Sequence, residues 1–226
     1  MTFNYKRALL AAGITWGALL VAAHHSHAAT FNWQGNATSG NWDTVGATGW
    51  DAGPPDAAGA IVQRITAMTD HVLITESNSN DTVGAILIGN GTDLGNFFFE
   101  IDFAATRVLN LNNSGAGATI EYNNTNTGNA SQLWFGNAGS MNLQDNLQIN
   151  VVPNLTGITA AGGTVALVVP ITGTGNITVN SNQAIPNFGM LTTGQVQPAV
   201  TFQKANTYVG TTTIEKGAVQ YLTSTS

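Results

Sequence analysis

The chain is 226 residues long, carries a net charge of −6 and contains no cysteine, and only 8% of its residues are charged. Without cysteine there is no disulfide and no thiolate zinc site, so packing and backbone hydrogen bonds must hold the fold together. After residue 28 the only basic residues are Arg64, Arg107, Lys204 and Lys216, against all twelve acidic ones. This balance argues against nucleic acid and anionic membrane surfaces as partners.

Residues 1–28 have the pattern of a secretory signal peptide. Two basic residues precede the apolar run of residues 8–23, and Ser26 and Ala28 supply the small side chains that a signal peptidase reads. An uncleaved membrane anchor is the competing interpretation, but the run is shorter than the roughly 20 residues that a bilayer requires. We therefore predict an exported protein, cleaved near Ala28 or Ala29. The three histidines of this segment would leave with it, so we predict no metal site there.

Residues 29–60 are rich in tryptophan and glycine, and we predict that they form an N-terminal cap. Trp33, Trp42 and Trp50 are expected to pack over the first rung of the fold that follows, and Trp134 is expected to fill its core. The alternative is that these large, flat aromatic faces are platforms on which sugars stack.

Short β-type runs fill the rest of the chain, residues 61–226, and no helical period occurs after the signal segment. The corners between the runs are dense in Gly, Asn, Asp and Ser, which tolerate tight-turn geometry. The runs are residues 71–76, 83–89, 97–103, 107–113, 118–124, 132–137, 146–152, 164–171, 176–182, 199–205 and 211–222.

Two all-β architectures fit this rhythm: an antiparallel β-sandwich and a right-handed parallel β-helix, or solenoid. Sandwich hairpins favour two-residue Asn-Gly or Asp-Gly turns, and Asn90-Gly91 is the only such dipeptide in the chain. In a solenoid, asparagines stack into ladders and each rung buries its apolar face against its neighbours. We therefore predict an all-β right-handed parallel β-helix over residues 61–226, with the β-sandwich as the alternative.

Glu100 and Asp102 are the main candidates for catalysis. They lie two residues apart on a predicted strand, so both carboxylates project from one face, as a glycosidase pair requires. The simpler interpretation is that the phenylalanines and Ile101 of residues 97–103 face the core while the two carboxylates face water. We favour the simpler interpretation.

Three weaker motifs do not amount to a site. The glycines of residues 89–95 follow a strand, but the third comes one position late for a dinucleotide-binding turn. Residues 76–81 begin like a calcium loop, but Asp81 stands where that loop needs glycine. His71 is the only histidine after the signal segment and has no partners for a nucleophilic triad. We predict no catalytic, cofactor-binding or metal-binding residues, and an ordinary strand-end position for His71.

The C-terminal region carries a repeat-like pattern, in which a corner at residues 206–210 precedes a strand, a turn and a second strand. This pattern resembles the autotransporter-associated β-strand repeat, also called the passenger-associated transport repeat, whose consensus resembles N-T-Y-x-G-x-T-x-I-x-x-G-x-L/V. A glycine-rich stretch at residues 173–179 is similar to the start of the family motif, so the resemblance covers about 173–222. The matching residues are Asn206, Thr207, Tyr208, Gly210, Thr212, Ile214, Gly217 and Val219.

The resemblance implies a β-helical bacterial surface protein. We expect a secreted or cell-surface structural or adhesive passenger with no catalytic activity and no cofactor; the alternative is a carbohydrate-binding or polysaccharide-degrading β-helix. The expected partners are components of the cell envelope or extracellular surface, with glycans as candidates, and not nucleic acid; no stable membrane span is expected after signal cleavage. We also hypothesise a repeat array cut short at Ser226, whose open edge would favour end-to-end self-association.

Overall fold

The computed structural model describes residues 28–35, 40–76, 79–95, 98–125, 132–152, 164–181 and 199–222. Within these ranges the chain forms eighteen β-strands and no helix. Every pair of neighbouring strands runs parallel. The predicted all-β solenoid is therefore confirmed, and the β-sandwich alternative is wrong because it requires antiparallel sheets.

The strands form three sheets around a solenoid of about five turns, consistent with a right-handed parallel β-helix. Sheet 1 contains β1 (Thr30–Asn32), β3 (Ile61–Arg64), β6 (Ala85–Thr92), β9 (Ala118–Asn124), β12 (Leu147–Val151), β15 (Ile177–Ser181) and β17 (Thr212–Lys216). Sheet 2 contains β2 (Gly40–Asn41), β4 (Val72–Glu76), β7 (Phe98–Phe103), β10 (Gln132–Asn137), β13 (Thr164–Leu167), β16 (Val200–Phe202) and β18 (Val219–Tyr221). Sheet 3 contains β5 (Asp81–Val83), β8 (Val108–Leu111), β11 (Ser140–Leu143) and β14 (Ile171–Gly173).

Each complete turn takes the chain through sheets 1, 2 and 3 in that order. The number of residues per turn varies: Ile61 pairs with Ala85, 24 residues further on, and Thr178 pairs with Thr213, 35 residues further on. The largest variation lies at the corner from sheet 1 to sheet 2, which is much longer between β15 and β16 than between β17 and β18. This variation explains why the sequence shows strands without a strict repeat length.

Inward-facing residues of successive turns lie in register and form apolar columns. Neighbouring strands of a sheet are about 4.8 Å apart, so side chains in one column touch those above and below. All members of two such columns are buried, which removes their apolar surface from water. The column in sheet 1 contains Val62, Ile86, Ile120, Ile149 and Val179, and the column in sheet 2 contains Ile74, Ile101, Phe135, Leu167 and Phe202.

Asparagine side chains link successive turns on the outside. Asn142 Nδ2 donates to Asn110 Oδ1 at 2.9 Å, and Asn176 Nδ2 donates to Asn146 Oδ1 at 3.1 Å. Asn176 Oδ1 accepts in turn from the backbone N–H of Thr211 at 2.8 Å. The predicted asparagine ladders are therefore confirmed, and they satisfy backbone groups at corners where the sheet hydrogen bonds end.

Two glycines allow the backbone of successive turns to approach closely at the corner from sheet 3 to sheet 1. A side chain at Gly210 would collide with the carbonyl group of Gly175 one turn below, and a side chain at Gly175 would collide with that of Asp145. Asn206 closes the preceding corner, because its Oδ1 accepts the backbone N–H of Ile171 at 2.9 Å. Asn206 and Gly210, which belong to the repeat-like pattern, thus have a structural role in the stacking of one turn on the next.

Some predicted runs differ from the observed strands. The run 83–89 spans the end of β5, a corner at Gly84 and the start of β6, and the run 164–171 spans β13 and the start of β14. The strands β1, β2, β3 and β11 were not predicted. A continuous apolar run does not reveal a corner, because in a solenoid the residues on both sides of the corner face the same core.

The N-terminal end of the solenoid is closed by tryptophan. Trp33, Trp42 and Trp50 are fully buried, and Trp50 meets the other two edge to face, with ring centroids 5.0 and 5.1 Å apart. Trp50 Nε1 donates to the carbonyl of Trp42 at 2.6 Å, and Trp42 Nε1 donates to the carbonyl of Pro55 at 3.2 Å. The predicted packing of these three tryptophans at the first turn is confirmed.

Arg64 joins this cap to the first complete turn. It is the last residue of β3, 1% exposed, and it occupies an inward position in register with Ile88. Its guanidinium donates to four backbone carbonyls, and burial lowers its pKa from the ordinary value. The acceptors are the carbonyls of Trp33 at 2.7 Å, Thr66 at 2.9 Å, Ala67 at 3.0 Å and Gly35 at 3.2 Å.

Replacing Arg64 with methionine is expected to destabilise the protein, because the carbonyls of Trp33 and Gly35 lose their buried hydrogen bonds to the guanidinium. We expect a loss of about 3 kcal/mol in the free energy of unfolding, measured by urea titration. Arg107→Met, at the corner before β8 and less buried, is the control and should lose no more than about 1 kcal/mol. Equal losses in both variants would contradict the role of the Arg64 hydrogen bonds.

Candidate functional site

The two candidate carboxylates lie on the outer face of sheet 2, on β7. Phe99, Ile101 and Phe103 are fully buried, whereas Glu100 and Asp102 alternate with them and are half-buried on the opposite face. The prediction that the apolar residues face the core is confirmed for these three. Phe97, the fourth member of the predicted set, lies outside the described residues.

Glu100 and Asp102 form a hydrogen-bonded carboxyl pair. Burial raises the pKa of both groups; the charge of Asp102 raises the pKa of Glu100 further, whereas the hydrogen bond lowers that of Asp102. An ionised carboxylate is only an acceptor, so this bond requires a proton, which these shifts place on Glu100. Asp102 Oδ1 is buried and has no hydrogen-bond donor among the residues that the structure describes.

Trp134 lies beside this pair, and its predicted core position is wrong. Leu133 and Phe135 take the buried positions of β10, so the alternation of the strand turns the indole outward, where it is half-buried. Trp134 is in register with Glu100 on the neighbouring turn. The hydrophobicity of Trp134 predicts a core position, but the alternation of β10 places its side chain on the outer face.

Gly136 creates the space in which the indole and the carboxyl pair meet. It is in register with Asp102, and a Cβ at this position would lie 2.5 Å from Asp102 Oδ1 and 2.7 Å from Trp134 Nε1. We call Glu100, Asp102, Trp134 and Gly136 the outer patch. The patch presents an aromatic side chain beside polar oxygens, a combination that suits sugar rings and their hydroxyl groups.

The geometry of the outer patch is less suited to glycoside cleavage. Retaining glycosidases hold their carboxyl groups about 5–5.5 Å apart and inverting ones about 6.5–9.5 Å apart, with the scissile bond between them. Glu100 and Asp102 lie near enough for a hydrogen bond between them to contribute to the pKa shifts of both groups. That spacing is shorter than either of the separations that glycosidases use.

The other candidate motifs have local structural roles. His71 directly precedes β4; its Nδ1 accepts the backbone N–H of Phe98 at 2.8 Å, and its ring stacks on Phe98 with centroids 4.8 Å apart. Its predicted strand-end position is confirmed. Gly89 and Gly91 have positive φ within β6, and β7 follows that strand. Within the described ranges, no group of three or more His, Cys, Asp or Glu residues could hold a metal ion.

The sequence analysis missed a second carboxyl pair, Glu76 and Asp81, which is buried inside the solenoid. Strand alternation carries the signal that could have revealed it. Within β4, Glu76 has the same parity as the buried residues Val72 and Ile74. This parity points its side chain at the core.

The last turn exposes its inward face. Ile214 continues the column of Val179, and Tyr221 continues that of Phe202, yet Ile214 is 49% and Tyr221 54% exposed. Tyr221 stacks on Phe202 with ring centroids 5.0 Å apart. The C-terminal end of the described solenoid is therefore apolar and accessible, unlike the end closed by tryptophan.

No protein family, no curated protein and no solved structure matches this chain. The predicted signal peptide lies outside the described residues except for Ala28. Across the described part of the chain, no helix is long and apolar enough to cross a membrane.

Proposed function

We propose that the protein is a secreted or cell-surface structural passenger that presents a polar, weakly charged surface for adhesion and has no catalytic activity. The observation that carries this proposal is the amide network on the outside of the solenoid. Gln144 Nε2 donates to Asn110 Oδ1 at 3.1 Å, and Asn112 Nδ2 donates to Gln144 Oε1 at 2.7 Å, in addition to the bond between Asn142 and Asn110. These bonds hold neighbouring turns at a fixed spacing on the exposed side.

The composition of this surface determines the kind of partner that fits it. Amide groups offer both donors and acceptors, so they can bind hydroxyl-rich or amide-rich surfaces without charge pairing. The few cations of the chain give no basic patch for phosphate. Components of the cell envelope or extracellular surface, including glycans, are therefore the partners that we propose.

The resemblance to the passenger-associated repeat supports this proposal. The motif positions Asn206 and Gly210 serve the stacking of one turn on the next, as a repeat in an extended β-helix requires. The signal-like segment at residues 1–28 supports export. In this proposal the chain acts as a rigid spacer whose exposed surface makes the contacts.

The proposed lack of catalysis is tested by incubating the purified protein with a panel of bacterial and plant polysaccharides. We expect no new reducing ends and no unsaturated products, because carboxyl groups within hydrogen-bonding reach of each other are closer than the separations that glycosidases use. Activity lost in Glu100→Gln but retained in Glu121→Gln, a carboxyl group on the outer face of sheet 1, would contradict this proposal and identify an enzyme.

The second candidate function is carbohydrate binding at the outer patch, favoured by the register contact between Trp134 and Glu100. We expect Trp134→Ala to weaken binding to any glycan that the protein retains by about tenfold, the effect of losing one aromatic stacking contact of roughly 1.4 kcal/mol. Thr201→Ala, in the same outer row two turns further on, is the control and should bind as the wild type does. Glycan binding that Trp134→Ala leaves unchanged would place the contact elsewhere.

We also propose end-to-end self-association through the apolar face of the last turn. Unpaired strand edges with exposed apolar side chains promote pairing between chains. Ile214→Lys should reduce the fraction of dimer and larger species measured by light scattering after size-exclusion chromatography. Val209→Lys is the control, because Val209 is 83% exposed yet lies outside the inward column. A monomeric wild type, or an equal effect of both variants, would contradict this proposal.

A further inference from the structure

Two carboxyl groups lie inside the first complete turn, at the corner from sheet 2 to sheet 3. Glu76 is the last residue of β4 and Asp81 is the first residue of β5, and they are 0% and 2% exposed. The positions in register with them on the next turn hold Phe103 and Leu109, both fully buried. Acidic groups therefore occupy places in the core that the following turn fills with apolar side chains.

Ser79 bridges the two buried carboxyl groups, and a hydrogen bond between the carboxyl groups themselves requires a proton. Ser79 donates its backbone N–H to Glu76 Oε1 at 2.9 Å and its hydroxyl group to Asp81 Oδ1 at 3.1 Å. The carboxyl groups of Glu76 and Asp81 also lie near enough to each other that a hydrogen bond with Glu76 is one cause of the raised pKa of Asp81. Two ionised carboxylates can only accept, so a bond between them exists only when one of them is protonated.

The surroundings oppose ionisation of Asp81. Burial, followed by the hydrogen bond and charge of Glu76, raises the pKa of Asp81 to about 8, against a smaller lowering by Ser79. Asp56, on the cap segment, adds further negative charge and accepts the backbone N–H of Thr82 at 2.9 Å. β7 and β8 present apolar side chains from the next turn. Within the described part of the chain, no cation is among the groups that set this pKa.

The corner that contains the pair also supports the cap. The backbone N–H of Ala57 donates to the carbonyl of Thr82 in β5 at 2.8 Å, and the backbone N–H of Trp42 donates to the carbonyl of Thr75 in β4 at 3.0 Å. The two strands that carry Glu76 and Asp81 are thus the strands to which the cap is bonded. A change in charge at the pair acts directly on this junction.

We propose that Glu76 and Asp81 share one proton in the folded protein and form a pH-sensitive lock between the N-terminal cap and the solenoid. With the proton present, the pair carries one negative charge and an internal hydrogen bond. Loss of the proton leaves two adjacent buried negative charges and removes that bond. The repulsion then loosens the corner between β4 and β5, and with it the attachment of the cap. This lock is independent of the proposed adhesive function.

The direction of the pH dependence follows from the raised pKa of Asp81. The folded state retains a proton that the unfolded chain releases near its ordinary value of 3.8, so stability from this pair is complete below about pH 4. That stability falls as the pH rises from there and is lost above the folded value of about 8. The lock is therefore closed in acidic solution and open in alkaline solution.

Asp81→Asn tests the lock, because the amide can donate to Glu76 and accept from Ser79 without a titrating proton. The melting temperature of the wild type should fall between pH 5 and pH 9 by about 4 °C more than that of Asp81→Asn. The control Glu121→Gln should follow the wild type. Parallel curves for the wild type and Asp81→Asn would overturn the proposal.

Three further measurements keep the test decisive if Asp81→Asn fails to fold. Glu76→Gln should flatten the pH dependence in the same way, because its amide can donate to Asp81. In wild-type protein labelled with ¹³C at the carboxyl carbons, one carboxyl group should titrate near pH 8. Titration of every carboxyl group below about pH 6 would overturn the proposal.

A rise in melting temperature on adding calcium chloride at pH 9, absent in Glu76→Gln, would also overturn it, because a cation would then hold the pair.

Discussion

The parallel pairing of each strand with its equivalent one turn away is the interaction on which the rest of this structure depends. It places each inward side chain over another at a distance of about 4.8 Å, so the core is a set of columns in which neighbouring residues must match in size. The same spacing explains the amide ladders outside and the need for glycine at positions 175 and 210, where one turn touches the next. The sheets, the apolar columns of the core and the glycines at the corners therefore all follow from the register between successive turns.

Charge inside such a column is costly, and the protein contains two different solutions at its N-terminal end. Arg64 is buried but donates to four backbone carbonyls, which compensate its charge. Within the described part of the chain, no cation is among the groups that set the pKa of Asp81, and in our proposal Asp81 instead shares a proton with Glu76. Both solutions lie in the first complete turn.

The surface differs from the core in what it can do. A strand in a β-helix projects every second side chain outward, so a residue such as Trp134 can lie half-buried on the outer face, in register with Glu100, with little effect on the columns behind it. This separation would allow the outer patch to bind a ligand, as we propose, while the core remains unchanged. The C-terminal turn is the exception, because there the inward residues Ile214 and Tyr221 are themselves accessible. The proposed adhesion along the side and the proposed association at the end would therefore involve different residues.

The sequence by itself determined the all-β fold, the parallel solenoid and the tryptophan cap, because turn residues, the scarcity of hairpin dipeptides and strand periodicity are local properties of the chain. It also determined that Glu100 and Asp102 face away from the core, since alternation fixes this within one strand. Only the tertiary structure decided that Trp134 meets Glu100, and that Glu76 meets Asp81 across a corner. These contacts depend on the register between turns and on the geometry of the corners. Because the corners differ in length, neither can be predicted from the sequence alone.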